Sequence, residues 1–130
     1  MARMAINILL VDDLLLDVAL TRRAMEDCEV AHRIVVAGDG EEADRLCGEA
    51  DFDLLLLDIK MPRVDGFELM QRLRRRAERK LPVIILSGSS LQSDRDRAEE
   101  LGAIEFVHKA FDYGAFRHEL KAALGRHGFC

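Results

Sequence analysis

Five short apolar runs, separated by longer segments with helical spacing, constrain the fold of this chain more than any other feature of its sequence. The runs are Ile6–Val11, Ile34–Ala37, Leu54–Leu57, Val83–Leu86 and Ile104–Val107. They are rich in Ile, Leu and Val and too short for buried helices, so they predict strands. Because they lack a regular polar alternation, they are typical of strands covered on both faces, as in a parallel sheet.

The segments between the runs predict five amphipathic helices. The residues on their predicted inner faces are Leu14, Val18, Thr21 and Met25 in the first, Ala43, Leu46 and Cys47 in the second, Phe67, Met70 and Leu73 in the third, Leu91, Arg95, Ala98 and Leu101 in the fourth, and Tyr113, Phe116, Leu120 and Leu124 in the fifth. We expect Asp65 to cap the third helix, and Gly102 and Gly125 to end the fourth and fifth. The order βαβαβαβαβα predicts a doubly wound α/β sheet.

Length and composition fit one domain of this kind. Of the 130 residues, 49% are hydrophobic and 33% charged, and we expect a single domain over residues 1–130 with a core over about 5–125. No unbroken apolar run exceeds four residues, so no membrane-spanning helix is expected. A net charge of −5 disfavours nucleic-acid binding, and the basic residues within Arg72–Lys80 are interpreted as a solvated helix face.

The cysteines predict no covalent framework. Cys28, Cys47 and Cys130 are odd in number and form no C-x-x-C motif, so a disulfide framework and a zinc site are both disfavoured. This cysteine usage favours a reduced, cytoplasmic compartment.

Polar side chains follow four of the five predicted strands. Asp12 and Asp13 follow the first, Asp58 the third and Ser87 the fourth, and Lys109 comes just after the fifth. In an open α/β sheet, ligands bind outside the carboxyl ends of the strands, so we expect these side chains to form one site. Each residue alone has an ordinary explanation as a cap, a turn residue or a surface lysine, and it is their joint occurrence that indicates a site.

The residue types in this set favour phosphoryl transfer to a carboxylate. Crowded carboxylates repel one another unless a cation lies between them, and oxygen ligands suit Mg²⁺. A lysine ammonium and a serine hydroxyl can both contact phosphoryl oxygens. The set therefore predicts a carboxylate nucleophile surrounded by a metal ion, an ammonium and a hydroxyl.

With these residues the chain resembles the receiver domain of bacterial two-component response regulators. The matching stretches are Ile8–Asp13, Leu54–Pro62 with Asp65 and Gly66, Pro82–Ser87 and Leu101–Lys109. The resemblance implies a flavodoxin-like (βα)5 fold with strand order 2-1-3-4-5. It also implies a signalling protein, not a conventional enzyme, that takes a phosphoryl group from the phosphohistidine of a kinase.

By position, the resemblance makes Asp58 the phosphoacceptor and Lys109 the residue that contacts the phosphoryl group. Asp12 and Asp13 would hold Mg²⁺ together with Asp58, and the backbone carbonyl of Lys60 would be a further ligand.

The resemblance also implies a switch. Ser87 would follow the phosphoryl group as the switch hydroxyl, and Phe106 would turn inward, which alters the face formed by the fourth helix, fifth strand and fifth helix. A role for Phe106 as an ordinary core aromatic stays open. We expect Lys60 and Ser89 to tune the lifetime of the phosphoryl group by shaping the access of water.

A narrower similarity concerns the segment Asp12–Leu20, which resembles the start of stand-alone regulators paired with bacterial phytochrome-type sensor kinases. With no output domain after residue 130, we expect a stand-alone receiver that is phosphorylated by a sensor histidine kinase of this kind or by a phosphotransfer protein. It would then contact a downstream protein. Homodimers are frequent among such relatives, so a homodimer is also expected.

An aspartate-nucleophile phosphohydrolase is the alternative function, since such enzymes also place an Asp after an apolar strand. They typically carry a second acid two residues beyond the nucleophile, where this chain has Lys60. A degenerate receiver that serves only as a scaffold is disfavoured, because the set of site residues is complete.

Two positions depart from the receiver pattern. Ala110 replaces the usual proline after Lys109, so either this peptide bears the cost of a non-proline cis bond, about 2.5–4 kcal/mol, or the loop takes another path. Leu14, Leu15 and Leu16 stand where relatives usually carry polar residues. Either some of these leucines are exposed beside the site, or the helix begins early and tucks them under loops. We hypothesise that Leu15 or Leu16 contributes to kinase recognition.

Overall fold

One sheet of parallel strands with helices on both faces forms the framework of the protein. The computed structural model describes residues 5–61, 65–76, 81–109 and 112–130. The strands are β1 (Ile6–Val11), β2 (His32–Ala37), β3 (Leu54–Asp58), β4 (Val83–Ser87) and β5 (Glu105–His108). The helices are α1 (Leu15–Met25), α2 (Gly40–Glu49), α3 (Gly66–Arg76), α4 (Gln92–Glu100) and α5 (Tyr113–Arg126). The strand order β2-β1-β3-β4-β5 confirms the predicted flavodoxin-like, doubly wound fold.

Apolar side chains on both faces of the central strands build two cores. Every residue of β3 and β4 is buried, which explains why their sequences show no polar alternation. Leu55 packs with residues of α2 and α3 on one face, whereas Leu54 and Leu56 pack with α1 and α5 on the other. Among the described residues, no helix has the length and apolar character that a bilayer crossing requires.

The observed elements follow the sequence expectations with three corrections. Gly102 follows the C-cap residue of α4 with a φ of +89°, as predicted for a residue that ends this helix. Leu14 and Leu91, by contrast, precede α1 and α4 and are 55% and 60% exposed, so they do not belong to the buried faces of those helices. Gly125 lies inside α5, and the left-handed residue beyond this helix is Gly128, with a φ of +78°.

A disulfide bond joins Cys28 and Cys130, so the expectation that no disulfide forms is wrong. Cys28 follows α1, and Cys130 lies beyond α5, which packs beside α1. The turn at Gly128 and a 2.9 Å hydrogen bond from the Phe129 amide to the Leu124 carbonyl direct the tail back toward α1. Residues 102 positions apart thus meet with a Cα–Cα distance of 4.9 Å. Cysteine count and spacing do not report such a contact, so they no longer support a reduced compartment.

Arg74 corrects the interpretation of the basic residues as a solvated helix face. Its guanidinium donates hydrogen bonds to the backbone carbonyls of Leu81, Leu101 and Gly102, at 3.0, 3.1 and 3.2 Å. Burial lowers the pKa of Arg74. This side chain therefore ties α3 to the segment before β4 and to the end of α4.

Gly66 permits the close approach of α3 to the end of β3. Its amide donates a hydrogen bond to the Ile59 carbonyl at 3.1 Å. A Cβ at Gly66 would lie 2.6 Å from the Ile59 Cα and 2.7 Å from the Asp58 carbonyl oxygen, both of which are backbone atoms. As predicted, Asp65 caps this helix, since its Oδ1 accepts a hydrogen bond from the Glu68 amide at 2.9 Å.

Gly66→Ala should destabilise the protein by about 1–3 kcal/mol, because the added methyl group must push α3 away from the backbone of β3. Gly48→Ala is the matched control, since a Cβ at Gly48 in α2 would meet nothing within 4 Å. Alanine should stabilise that helix by about 0.5–1 kcal/mol. Urea unfolding followed by circular dichroism measures both free energies. Equal effects of the two substitutions would contradict the close-approach interpretation.

Candidate functional site

The carboxyl edge of the sheet collects the polar residues that the sequence places after the strands. Asp12 and Asp13 follow β1, Asp58 ends β3, and Ser87 ends β4. Lys109 directly follows β5, where its amide donates a hydrogen bond to the Ser87 carbonyl at 2.7 Å. Because β1 and β3 are neighbours in the sheet, their terminal acids meet at its centre.

Three carboxylates form the middle of this candidate site. One oxygen from each of Asp12, Asp13 and Asp58 lies within 4.8 Å of the other two. Asp12 and Asp58 are buried, whereas Asp13 is exposed, so the cluster opens to solvent at Asp13. Oxygen donors in this arrangement fit a hard divalent cation that keeps part of its water shell, such as Mg²⁺.

Lys109 is shared among three acids. Its Nζ donates hydrogen bonds to Asp12 Oδ2 at 2.7 Å and Asp17 Oδ2 at 3.0 Å, and it lies 3.6 Å from Asp58 Oδ2. Burial lowers the pKa of Lys109, but the hydrogen bond to Asp12 and the charge of Asp58 outweigh burial, so the net pKa is raised. The ammonium is therefore charged at neutral pH.

Asp17 is a residue of this site that sequence reasoning missed. It lies in the first turn of α1, the helix that follows the acidic pair. That position, one helical turn beyond Asp13, is the signal that could have indicated it, because the first turn of such a helix lies at the same edge of the sheet.

The environment of Asp58 raises the pKa of its carboxyl group in the absence of a metal ion. Burial is the largest cause of a raised pKa at Asp58, and the charges of Asp12 and Asp13 add to it, so that the net pKa is about 6 instead of 3.8. Lys109 and a hydrogen bond from the Lys60 amide to Asp58 Oδ1, at 3.1 Å, act in the opposite direction. The Lys60 amide thus orients the carboxylate, while a ligand role for the Lys60 carbonyl stays a prediction.

Ser87 connects the edge of the sheet to the start of α4. Its side chain is fully buried, and its Oγ accepts a hydrogen bond from the Ser89 amide at 3.0 Å. Ser89 Oγ in turn donates to Asp94 Oδ2 at 2.5 Å and accepts from the Leu91 amide at 3.1 Å. Asp94 is a second residue missed from the sequence, and it couples Ser89 to the first turn of α4.

Phe106 lies in β5 beneath an arginine. The Phe106 ring is partly buried against the core, and the guanidinium carbon of Arg95 lies 4.6 Å from the ring centroid. Both residues line a groove of about 400 Å³ between α4 and β5. The side chain of Phe106 is therefore neither fully internal nor free, and its role in switching stays a prediction.

Three leucines beside the acidic pair are exposed. Leu14, Leu15 and Leu16 are 55%, 85% and 70% exposed, which excludes the alternative that loops cover them. The structure thus decides between the two alternatives for the leucines, which are the second departure from the receiver pattern. The other, the peptide between Lys109 and Ala110, lies outside the described residues.

Comparison with known families matches residues 8–121 to the response regulator receiver domain. The chain belongs to this family of two-component signalling domains, as its sequence motifs predict. Over 82 residues it is 44% identical to response regulator GtcR of Aneurinibacillus migulanus, a match that covers 63% of this chain and 33% of GtcR. The chain spans less than half the length of the curated relatives it matches.

Two solved phytochrome-associated regulators have similar structures. The bacteriophytochrome response regulator AtBRR is 34% identical, with a TM-score of 0.75 and coverage of 95% of this chain and 94% of AtBRR. The phosphorylated cyanobacterial phytochrome response regulator RcpA is 25% identical, with a TM-score of 0.81 and coverage of 97% and 94%.

Asp58→Asn should stabilise the metal-free protein at pH 7 by roughly 3 kcal/mol, the free energy that corresponds to a pKa raised from 3.8 to about 6. Because the pKa is raised on folding, Asp58 contributes stability that is fully present below about pH 3.8 and is lost as the pH rises through about 6. The gain of the variant should therefore grow between pH 4.5 and 7.

Urea unfolding in EDTA at several pH values measures this gain. Asp51→Asn, at an exposed aspartate outside the site, is the control and should show little dependence on pH. A stability difference for Asp58→Asn that stays constant over this range would contradict the assigned environment.

Proposed function

We propose that the chain is a receiver that accepts a phosphoryl group on Asp58 from the phosphohistidine of a sensor histidine kinase. The observation that carries this proposal is the convergence of Asp12, Asp13, Asp58 and Lys109 at one edge of the sheet. Membership of the receiver family supports it. So does the near-complete coverage of AtBRR and RcpA, which the chain matches over 94% of their lengths.

The chemistry is an in-line displacement at phosphorus. An Asp58 carboxylate oxygen forms a bond to the phosphorus while the bond from phosphorus to the histidine nitrogen breaks, and the imidazole departs with that electron pair. Lys109 stabilises the negative charge on the phosphoryl oxygens. Hydrolysis of the acyl phosphate by water then returns inorganic phosphate and the free carboxylate.

Asp12, Asp13 and Asp58, with the backbone carbonyl of Lys60, would hold Mg²⁺. The ion would neutralise the crowded carboxylates and the transferred phosphoryl group. Lys60 and Ser89 flank the acceptor and the switch hydroxyl, and we assign to them the tuning of water access and thus of phosphoryl lifetime. The exposure of the Lys60 side chain at the mouth of the site supports this assignment.

We also propose that phosphorylation alters the α4–β5–α5 face. A phosphoryl oxygen would draw the Ser87 hydroxyl away from the Ser89 amide, to which it is now bound. The start of α4 depends on Ser89, so this movement would shift α4 and allow Phe106 to turn inward from beneath Arg95. A downstream protein would read the altered face.

The partners follow from the same proposal. A bacteriophytochrome or another sensor histidine kinase, or a phosphotransfer protein, would supply the phosphoryl group, as the names of AtBRR and RcpA suggest. We place the protein in the cytoplasm, where kinases draw phosphoryl groups from ATP, and propose a homodimer. A phosphohydrolase function is disfavoured, because Lys60 occupies the position of the second acid and the family is one of signalling domains.

Intact-mass spectrometry after incubation with Mg²⁺ and acetyl phosphate tests the central step. The wild type should gain one phosphoryl mass, and Asp58→Asn should gain none. Asp53→Asn is the control variant and should be phosphorylated like the wild type. Phosphorylation of the Asp58→Asn protein, or absence of phosphorylation in the wild type, would contradict the proposal.

Leu15→Ser should slow phosphoryl transfer from a sensor histidine kinase that phosphorylates the wild type, because 85% of this leucine is exposed near the acceptor. Phosphorylation by acetyl phosphate, which needs no docking, should be unchanged. Leu91→Ser, at a leucine that is 60% exposed at the start of α4, is the matched control. Unchanged transfer from the kinase to Leu15→Ser would count against a docking role for this residue.

A further inference from the structure

We infer that Asp17 is a positioning residue for Lys109 in phosphoryl transfer, an inference that rests on the proposed function. Asp17 belongs to α1, whereas the other acids of the site follow β1 or end β3. Its carboxylate nevertheless reaches the Lys109 ammonium, with Oδ2 3.0 Å from Nζ. The two side chains are only 28% and 15% exposed, so their contact is largely shielded from water.

The donors of the Lys109 ammonium explain what this contact does. A lysine has three N–H donors, and Asp12 and Asp17 accept two of them. The distance of 3.6 Å from Nζ to Asp58 Oδ2 is too long for a direct hydrogen bond. A phosphoryl group on Asp58 would extend an oxygen beyond Oδ2 to within reach of Nζ, where it would accept the third N–H.

Two anchors restrict the ammonium better than one. Lysine is flexible, and a single partner would leave Nζ free to pivot around it. Asp12 is itself fixed, because its Oδ1 accepts a hydrogen bond from the Leu14 amide at 3.0 Å while its Oδ2 accepts from Lys109. Asp17 adds the second anchor from the first turn of α1. Nζ is thus held before the phosphoryl group arrives, which lowers the cost of organising the transition state.

Asp17 can be altered without removing a proposed metal ligand. Within the described residues, the acids whose oxygens converge on a common point are Asp12, Asp13 and Asp58, and Asp17 is not among them. A substitution at Asp17 therefore addresses the position of Lys109 and leaves the metal-binding carboxylates in place.

The test is a double-mutant cycle on the rate at which acetyl phosphate phosphorylates Asp58 at saturating Mg²⁺. Asp17→Asn should lower the rate constant about fivefold, as expected for the loss of a charge-assisted hydrogen bond. In a Lys109→Gln background, Asp17→Asn should have no further effect. Glu41→Gln, which removes an exposed first-turn acid of α2, is the control for a general effect of helix charge and should leave the rate unchanged.

A second double-mutant cycle measures the free energy of unfolding in urea and EDTA, and it tests the same contact in the absence of metal and of phosphoryl transfer. The destabilisation caused by Asp17→Asn should disappear in the Lys109→Gln background. Equal effects of Asp17→Asn in both backgrounds, or no effect on transfer at all, would overturn this inference while the wild type is still phosphorylated. Absence of phosphorylation in the wild type would overturn the proposed function and this inference with it.

Discussion

The burial of crowded carboxylates at the end of the sheet is the constraint on which the site depends. Asp12 and Asp58 are buried, and Asp13 lies close enough to add its charge to theirs. Lys109 supplies one positive charge, yet the pKa of Asp58 is still raised to about 6. Burial is the largest cause of this rise and the repulsion among the carboxylates adds to it, so one ammonium does not offset both. A divalent cation would complete the balance, so metal binding and the stability of this edge are linked.

The contacts of Ser87 connect that edge to a second surface. The chain of hydrogen bonds runs from Ser87 through Ser89 to Asp94, and the next residue, Arg95, covers the ring of Phe106. Ser87, Ser89 and Asp94 lie along the turn from β4 into α4 or in the first turn of that helix, and Phe106 lies in the neighbouring strand β5. In the proposed mechanism, a movement of one hydroxyl would thus be transmitted by adjacent, directly bonded groups, without a distant relay.

The sequence predicts most of the fold because the fold depends on local patterns. Unbroken apolar runs such as Leu54–Leu57 report strands buried on both faces, and acids such as Asp58 report where those strands end. These signals also identify the members of the candidate site that follow strands. These signals do not identify Asp17, because its role depends on a hydrogen bond from Lys109, a residue far away in the sequence.

Tertiary contacts and local backbone geometry that residue types do not reveal account for the errors. Arg74 looks like one of several solvated basic residues, and only the tertiary structure shows the three carbonyls that it binds. Leu14 fits the helical spacing, yet α1 begins at the next residue, and the Leu14 amide donates a hydrogen bond to the Asp12 side chain. Gly125 resembles a helix stop, but a glycine ends a helix only where the backbone turns left-handed, and that residue is Gly128.

The bond between Cys28 and Cys130 has a consequence for the lifetime of the protein. It lies beyond the C-terminal ends of α1 and α5, across the molecule from the carboxyl edge of the sheet. In the chain-entropy account, a covalent loop of about 100 residues lowers the entropy of the unfolded chain by an amount worth roughly 5 kcal/mol of stability. Oxidation would therefore make opening of the fold rarer without touching the acceptor. A chain that opens less often is cleaved less often, so the bond would prolong the survival of the protein in the presence of proteases.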